Sequence, residues 1–430
     1  MSKEVENLWK SEDYWAIWFS VVLFGVILGG AVVSVPKVGK WVANPVPSLS
    51  GQYVGIALLC LGLGVLFTVG IAIMKADWKR FLGGYLVIFL ISILALVVAG
   101  QKTLHAWGLG YALWALVFGL LIANTVGTPQ WLLRGARSEM FIKTGLVMLG
   151  SEILFSKILQ LGLPGLIVAW VVTPTVIIFM WHFGNRVLKI PSKTFTIIVA
   201  AATSVCGVSA AIAVAGACRA KKEELTLAIG MTMIFTVLMM VAMPALAKVM
   251  GIDPQVAGAW LGGTIDSTGA VVAAGALLGE QAEKVAAVVK MIQNVLIGAV
   301  AFVVALYWVA RVDRDPSAPK PSAFEIWYRF PKFILGFVGA SLAFSFLLLP
   351  LFGSETVSTT LDVSEKLRGW LFCLAFVSIG LESNFRDLWK QLVGGKPIIL
   401  YIVGQSFNIV LTLLAAWLAF GGVLFDRVFQ

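Results

Sequence analysis

Charged residues, histidines and cysteines are all scarce in this chain of 430 residues. Only 13% of the residues are charged, against about 25% in a soluble globular domain, while 60% are hydrophobic and the mean hydropathy is +0.94. With His105 and His182 as the two histidines, a histidine-rich metal centre is excluded. The four cysteines are scattered without a CxxC spacing, which predicts reduced thiols rather than a disulfide framework or a metal site.

Motifs of common enzymes and of ATP-driven pumps are missing as well. The chain has no Walker A, HExxH or GxSxG motif. An intramembrane aspartyl protease needs two helix-borne aspartates, and Asp266 alone qualifies. We therefore expect no enzyme, no catalytic residues, no metal and no cofactor other than a coupling proton or sodium ion. The net charge of +10 is spread over many short loops, which argues for membrane topology rather than nucleic-acid binding.

Long apolar segments are what the sequence has in abundance. Thirteen of them, each about 20 residues long, occur between Tyr14 and Phe425. The sequence therefore predicts an all-α polytopic membrane protein of the bacterial inner membrane, surrounded by the lipid bilayer. The N-terminus is too polar for a signal peptide, so we expect the first apolar segment to be a retained helix. The oligomeric state is open, and a homodimer is one option.

The distribution of Lys and Arg favours about 11 transmembrane helices plus two re-entrant or broken-helix segments, 194–218 and 255–279. If these two segments enter and leave on one side, the basic loop containing Arg219, Lys221 and Lys222 joins the side that is already rich in positive charge. This topology puts the N-terminus in the cytoplasm and the C-terminus in the periplasm. Broken helices that cross the membrane are the alternative.

Two internal pairings predict inverted structural repeats. Residues 149–159 (LGSEILFSKIL) resemble residues 379–389 (IGLESNFRDLW), and residues 202–217 resemble residues 262–279. In the eleven-span topology, both pairings have opposite orientations across the membrane. Inverted repeats with interrupted helices near the midplane are typical of secondary transporters.

The pairings divide the chain into three parts. Residues 1–103 are expected to form N-terminal scaffold or accessory helices. Residues 104–250 would form the first repeat, with its interrupted segment 194–218. Residues 251–430 would form the second repeat, with its interrupted segment 255–279.

Small and polar residues interrupt both of these segments. In each, the second half-helix would point its free N–H groups into the break, which creates an anion-sized pocket. The expected substrate-binding residues are Thr203, Ser204, Cys206, Gly207, Ser209, Thr264, Ser267, Thr268, Lys290, Gln293 and Asn294. The alternative interpretation is tight helix packing through small residues.

Ionisable residues inside a membrane are costly, and they are functional candidates by default. Asp266 is the first candidate for a coupling ion or proton, and an Asp266–Lys290 ion pair is a natural hypothesis. Lys290 shares one helical face with Gln293 and Asn294. Glu152 and Glu382, which the repeat relates, are further coupling candidates, although a structural role fits them equally well.

Several stretches between about residues 139 and 400 resemble one family. They are GLVMLGSEI, TSVCGVSAAIAV, the KKEE loop, WLGGTIDSTGAVVAAGA, AAVVKMIQNVL and FVSIGLESNF. Together they are similar to the YeiH-type sulfate exporter family of bacterial inner-membrane proteins, and SVCGVSAA is the most specific piece. The resemblance implies a link to the cation/proton antiporter and bile-acid symporter superfamily, in which one domain moves as an elevator against a scaffold.

Two residues depart from the pattern of that family. Asp266 stands where many members have a histidine, and Gln293 stands where an arginine is common. The missing arginine indicates a substrate other than sulfate or a less charged anion. The sequence thus predicts a secondary active transporter of a small anion of the sulfate, sulfonate or carboxylate class, exporting it by alternating access. A cation/proton antiporter using Asp266 is the runner-up, followed by a passive channel or a membrane sensor.

Overall fold

A computed structural model describes residues 9–106, 110–153, 155–313, 327, 330–384 and 395–426. The described residues form helices and no β-strand, with one isolated bridge between Trp41 and Gln101. The predicted all-α class is therefore confirmed. The chain folds as two compact units: unit 1 lies within Met1–Ser156 and Lys332–Asn384, and unit 2 within Lys157–Pro331 and Phe385–Gln430.

The α-helices of the described residues are numbered here in chain order. The N-terminal ones are α1 (Glu12–Leu28), α2 (Tyr53–Ile73), α3 (Trp78–Ala99), α4 (Lys102–Ala106), α5 (Tyr111–Thr125), α6 (Gln130–Leu133), α7 (Ser138–Glu152), α8 (Phe155–Leu166) and α9 (Val172–His182). The C-terminal ones are α10 (Lys193–Ser204), α11 (Val208–Ala217), α12 (Lys222–Val249), α13 (Pro254–Thr264), α14 (Thr268–Ala276), α15 (Glu280–Tyr307), α16 (Phe333–Leu342), α17 (Leu349–Glu382) and α18 (Lys396–Phe420).

Among the described residues, 7 helical runs are long and apolar enough to cross a membrane. They are Tyr53–Ile73, Trp78–Ala99, Ile158–Val187, Glu223–Val249, Glu280–Val312, Phe333–Glu382 and Lys396–Phe420. The run Phe333–Glu382 has 50 residues, whereas one span needs about 20. Gly353 interrupts it with φ 76° and ψ 165°, a conformation that favours glycine. This run therefore corresponds to the two neighbouring apolar segments of the sequence.

In unit 1, α5 crosses α17 with the two backbones in contact. A Cβ atom added at Gly380 would lie 2.6 Å from the carbonyl oxygen of Leu116 and 2.8 Å from the Cα of Gly119. A Cβ atom added at Gly119 would lie 2.5 Å from the carbonyl oxygen of Val377. Small residues at helix crossings allow this approach in membrane proteins, where packing replaces the hydrophobic effect.

Replacing Gly380 by alanine is expected to destabilise the protein by about 1–3 kcal/mol, because the added methyl group meets backbone atoms that cannot move independently. The matched control is Gly369→Ala on the same helix, where an added Cβ atom has no neighbour within 4 Å. That change should be neutral or stabilise by up to about 1 kcal/mol. Thermal or denaturant unfolding of both purified variants measures the difference, and equal effects would contradict the close crossing.

In unit 2, both segments predicted to be interrupted are interrupted. Residues 205–207 separate α10 from α11, and Gly207 adopts φ 62° and ψ −114°. Residues 265–267 separate α13 from α14, with Ile265 and Ser267 in extended conformations. Each broken pair is followed by a 28-residue helix, α12 or α15. The prediction of half-helix, break, half-helix is confirmed at both places.

The alternative interpretation, tight helix packing through small residues, also applies, but to helix α13 next to the second break and not to the breaks themselves. A Cβ atom at Gly258 or Gly262 in α13 would lie 2.5 Å or 2.7 Å from the carbonyl oxygen of Ala282 or Ala286 in α15. These glycines let α13 lie directly on the backbone of α15. Gly207 is different, because its positive φ makes it a conformational requirement of the break itself.

The three-part division predicted from the repeats is not the division into units. Unit 1 combines N-terminal helices with α16 and α17, and unit 2 combines α8 from Lys157 onward and α9–α15 with α18. Contact-based units and ancestral repeats are different properties of a chain, so the repeat boundaries stay a prediction. Residues 385–389 of the first pairing lie outside the described residues.

Candidate functional site

The two helix breaks of unit 2 lie against each other. A Cβ atom built on Gly207 would be 3.4 Å from the Cβ of Asp266 and 3.0 Å from the Cγ2 of Thr232. The residues around the breaks are almost completely buried, and Thr203, Thr264 and Asp266 are each 1% exposed. We call the place where the breaks 205–207 and 265–267 meet the crossing. Four helix ends lie around it: α10 and α13 end there, and α11 and α14 begin there.

Lys290 of α15 links the two breaks. Its Nζ donates to the carbonyl oxygens of Val205 at 2.5 Å and Ile265 at 2.8 Å, and to Oε1 of Gln293 at 2.7 Å. An ammonium group has three protons, so these bonds use its full capacity. The side chain is 1% exposed. Its positive charge lies at the negative ends of α10 and α13, where the dipoles of both half-helices favour a cation.

Polar side chains satisfy further carbonyl oxygens at these two helix ends. Nε2 of Gln293 donates to the carbonyl oxygens of Ser204 at 3.0 Å and Gly263 at 3.1 Å. Nδ2 of Asn408 lies 3.3 Å from the carbonyl oxygen of Thr203, and Nε2 of Gln405 lies 3.1 Å from that of Thr264. Side chains of α15 and α18 thus donate hydrogen bonds to the backbone carbonyl oxygens that the breaks leave without helical partners. A buried interruption in a membrane helix requires such partners.

Asp266 is bound on one carboxylate oxygen only. Tyr401 of α18 donates its hydroxyl proton to Oδ2, and the Tyr401 ring stacks on Phe235 with centroids 4.3 Å apart. Oδ1 is buried and makes no hydrogen bond of good geometry with the described residues, although the hydroxyl of Thr236 lies close to this carboxylate. Lys290 and Asp266 form no direct salt bridge, because all three Lys290 protons are bonded to two carbonyl oxygens and one amide oxygen. The two groups interact electrostatically without direct contact, so the hypothesis that they neutralise each other stays a prediction.

Other buried oxygen atoms of unit 2 also lack hydrogen-bond partners in the described part of the chain. They are Oγ1 of Thr232, Thr236 and Thr264, Oδ1 of Asn294 and Oε1 of Gln405. A carboxylate, hydroxyls and amide oxygens are ligands typical of hard cations. The described residues contain no group of three or more His, Cys, Asp or Glu that could hold a metal ion. Each of these open oxygen atoms can accept a hydrogen bond or bind a hard cation.

The two half-helices that begin at the crossing lack side-chain caps. Gly207 at the start of α11 has no side chain, and Ser267 at the start of α14 makes no cap bond. By contrast, Ser192 caps α10 and Asp253 caps α13. Uncapped first-turn N–H groups with the positive end of a helix dipole are suited to an anion.

The predicted hydroxyl ligands divide into two groups. Thr203 and Ser204 donate their protons to the carbonyl oxygens of Val199 and Ala200 in their own helix, at 2.8 and 2.6 Å. They therefore offer a ligand lone pairs rather than protons. Ser209 is exposed, and Ser267 is half-buried.

The remaining predicted substrate-binding residues also lie at the crossing. Thr268 accepts from Nδ2 of Asn294 at 3.0 Å, and Cys206 is 7% exposed within the first break. Glu152 and Glu382 belong to unit 1 instead. Arg368 donates to both oxygens of Glu152 at 2.8 and 2.9 Å, and Ser138 donates to Oε2 of Glu382 at 2.7 Å. The structure thus brings all eleven predicted substrate-binding residues, together with Asp266, to the crossing in unit 2.

Several residues at the crossing were missed, and Tyr401 is the most important. It lies at a helical spacing from Gln405, Asn408 and Thr412, so these four residues share one face of α18. A stripe of polar side chains in an otherwise apolar membrane helix is a signal that points to a buried polar site. Thr173 of α9, which donates to the carbonyl oxygen of Ser204 at 3.0 Å, gave no comparable signal.

Removing the hydroxyl of Tyr401 by substitution with phenylalanine is expected to destabilise the protein by about 1.5–3 kcal/mol, the range for hydrogen bonds to charged groups. The ring keeps its stacking on Phe235, so the fold should persist. Tyr85→Phe is the matched control, because the Tyr85 hydroxyl donates to a neutral carbonyl oxygen, that of Cys60, at 2.9 Å. Denaturant unfolding measures both, and a loss no larger than that of the control would contradict the interaction with Asp266.

Comparison with known proteins places the chain in a family. A family model described as "Conserved hypothetical protein 698" matches residues 83–401, well over half of the chain. The UPF0324 membrane protein RB9488 of Rhodopirellula baltica is 55% identical over 91% of this chain and 73% of that protein. This chain belongs to the UPF0324 family of membrane proteins. A UPF0324 membrane protein of Nitratidesulfovibrio vulgaris is 53% identical over 85% of this chain and 64% of its own length.

The family resemblance read from the sequence is confirmed. The UPF0324 inner membrane protein YeiH of Escherichia coli is 24% identical over 74% of this chain and 85% of that protein. No solved structure matches. The names of these UPF0324 relatives and the apolar helices together support a multi-pass membrane protein.

Proposed function

We propose that this UPF0324 protein is a secondary active transporter of a small anion, coupled to a proton or cation at Asp266. The main observation behind this proposal is that two interrupted helices meet at one buried crossing, which contains Lys290 and Asp266. Broken helices of this kind hold substrate and coupling ions in secondary transporters. The substrate would be of the sulfate, sulfonate or carboxylate class, and the mode of transport would be export by alternating access of an elevator type.

The anion would bind at the uncapped starts of α11 and α14. Their first-turn N–H groups begin at the two breaks, and Ser209 and Ser267 would supply hydroxyls beside them. Lys290 would contribute long-range positive charge rather than a direct bond, since its three protons are in use. In this scheme the protein needs no enzyme activity and no cofactor other than the coupling ion.

A cation/proton antiporter is the second candidate. It is favoured by the buried oxygen atoms that lack hydrogen-bond partners among the described residues. At the crossing the strong donors of Lys290 are all in use, whereas Oδ1 of Asp266 and the side-chain oxygens of Asn294 and Gln405 are open. Open oxygen atoms attract cations and protons. The proposed link to the cation/proton antiporter superfamily points the same way.

Packing within each unit supports inverted repeats. In unit 1, α5 crosses α17 at Gly119 and Gly380, and α16 crosses α7 where Gly150 meets the backbone of Phe337. Each crossing pairs an element of one predicted repeat with an element of the other. Unit 2 repeats the order of half-helix, break, half-helix and long helix. With about 11 spans plus two re-entrant or broken segments, the N-terminus would be cytoplasmic and the C-terminus periplasmic.

Transport by the purified protein in proteoliposomes tests the proposal. Uptake of labelled sulfate, methanesulfonate and acetate would be measured with and without sodium and proton gradients, together with counterflow. Saturable anion counterflow that a proton or sodium gradient drives is the expected result. Sodium–proton exchange without any anion would establish the antiporter instead. Non-saturable leakage would contradict both and indicate a pore.

A further inference from the structure

A cavity lies in unit 2 among the ends of α9 and α15 and the start of α10. It has a volume of about 380 Å³ and is lined by apolar and aromatic side chains, among them Ile178, Trp181, Ile197, Val304, Tyr307 and Trp308. That volume is within the range of pockets that bind small molecules. Ile178 is 58% exposed and Tyr307 is 45% exposed, so the cavity opens at the surface of the helices.

Each of these three helical runs carries a basic residue one turn from the cavity lining. Arg186 follows His182 by four residues, Arg311 follows Tyr307 by four, and Lys193 precedes Ile197 by four. Residues four apart share a helix face. All three basic residues are exposed, and none forms an ion pair with any described residue.

The three basic residues lie at the same end of the cavity. The ring of Trp181 is 5.8 Å from that of Tyr307 and 6.0 Å from that of Trp308, which joins the C-terminal ends of α9 and α15. Residues 183–192 connect α9 to α10: Phe183–Val187 continue α9 as a π-helix, and the chain then turns within five residues into α10, which begins at Lys193. An apolar cavity with an aromatic rim and a cluster of positive charge at one end is thus built from three separate elements.

We propose that this cavity binds an anionic phospholipid of the surrounding bilayer. An acyl chain fills the apolar part, and Arg186, Lys193 and Arg311 bind the headgroup phosphate. Tryptophan and tyrosine are enriched at the headgroup level of membranes, and basic pockets between transmembrane helices bind anionic headgroups. A soluble anion would need the positive charge alone, whereas the aromatic and aliphatic lining fits a lipid chain.

Thermal unfolding of the full-length protein in detergent, with added phosphatidylglycerol or phosphatidylcholine, tests the headgroup part. Phosphatidylglycerol is expected to raise the melting temperature more than phosphatidylcholine does, because it binds the folded state. In the variant R186Q/K193Q/R311Q the difference should vanish, with affinity falling about fivefold for each charge removed. The matched control is Lys248→Gln, an exposed basic residue of α12 away from the cavity lining. Equal responses to both lipids, or an unchanged triple variant, would overturn the proposal.

The apolar part requires a second variant and a soluble competitor. Ile178→Trp fills the cavity at a position that is already exposed, so it should fold normally while weakening phosphatidylglycerol binding. Native mass spectrometry then counts lipid molecules bound to the wild type and to each variant, and fewer lipids on both variants would support the site. If inorganic phosphate raises the melting temperature as much as phosphatidylglycerol, or if Ile178→Trp binds lipid normally, the cavity is not a lipid site.

Discussion

Replacing Lys290 by methionine is expected to lower the free energy of unfolding by about 3–5 kcal/mol and to abolish transport. Methionine keeps much of the side-chain volume but removes the charge and all three protons. The carbonyl oxygens of Val205 and Ile265 would then lose their bonds to this side chain in a buried environment. Asp266 would also lose the nearby positive charge, and an uncompensated buried charge is strongly destabilising.

Lys143→Met in unit 1 is the matched control for this change. The Lys143 side chain is also within an apolar segment, but it pairs with Asp13 at 3.0 Å and with Glu139 at 3.1 Å, where the Glu139 side chain is 52% exposed. Solvent can replace much of that interaction, so a smaller loss of stability and retained transport are expected. Unfolding by denaturant and flux in proteoliposomes measure both variants. Normal transport by the Lys290 variant would show that the lysine is not needed for transport.

The double variant Lys290→Met/Asp266→Asn separates charge from hydrogen bonding. If the two charges stabilise each other through space, removing both should cost less than the sum of the single changes, by about 0.5–3 kcal/mol. If the cost of Lys290→Met comes only from the two carbonyl oxygens, the effects should add. A double-mutant cycle of unfolding free energies therefore tests whether the two residues, which form no ion pair, are still electrostatically coupled.

The interruptions in unit 2 could be predicted from the sequence because they depend on neighbouring residues: small and polar residues weaken a helix where they occur. Gly207 and the polar residues around Asp266 stand out in an apolar sequence. Irregular backbone at membrane depth needs such polar partners, and these are the places where the helices are interrupted. The sequence also indicated Lys290 and Gln293, since an ionisable residue within an apolar helix is costly and must be compensated. These predictions needed no knowledge of long-range packing.

The partners of these residues depended on packing that no local pattern specifies. Tyr401 binds Asp266 across 135 residues of sequence, and Asn408 reaches the carbonyl oxygen of Thr203 across 205. A direct contact between Asp266 and Lys290 is absent for the same reason. The carbonyl oxygens at the helix ends bind the ammonium group instead, and a pattern of side chains does not show where such carbonyl oxygens will lie. The division into two units likewise arises from contacts between distant segments.

Replacing Asp266 by asparagine is expected to leave the protein folded and to remove coupling. The amide has nearly the same shape, and its oxygen can still accept the hydrogen bond of Tyr401, so the protein should fold. The weaker neutral hydrogen bond and the missing charge near Lys290 should lower the free energy of unfolding, but by less than Lys290→Met does, because the Lys290 bonds to the two carbonyl oxygens remain. Flux driven by a proton or sodium gradient should fall about 30-fold or more, because the buried carboxylate oxygen that would bind the cation loses its charge. Glu382→Gln, which removes a carboxylate in unit 1, is the matched control and should transport normally.

The same pair of variants also separates the two candidate functions. If the anion binds at the starts of α11 and α14, Asp266→Asn should still exchange anion for anion in counterflow, since the N–H groups of those helices are unchanged. If the protein is a cation/proton antiporter, this variant should lose every form of flux, because Asp266 would carry the transported ion itself. Loss of gradient-driven flux in Glu382→Gln with normal flux in Asp266→Asn would move the coupling site to unit 1.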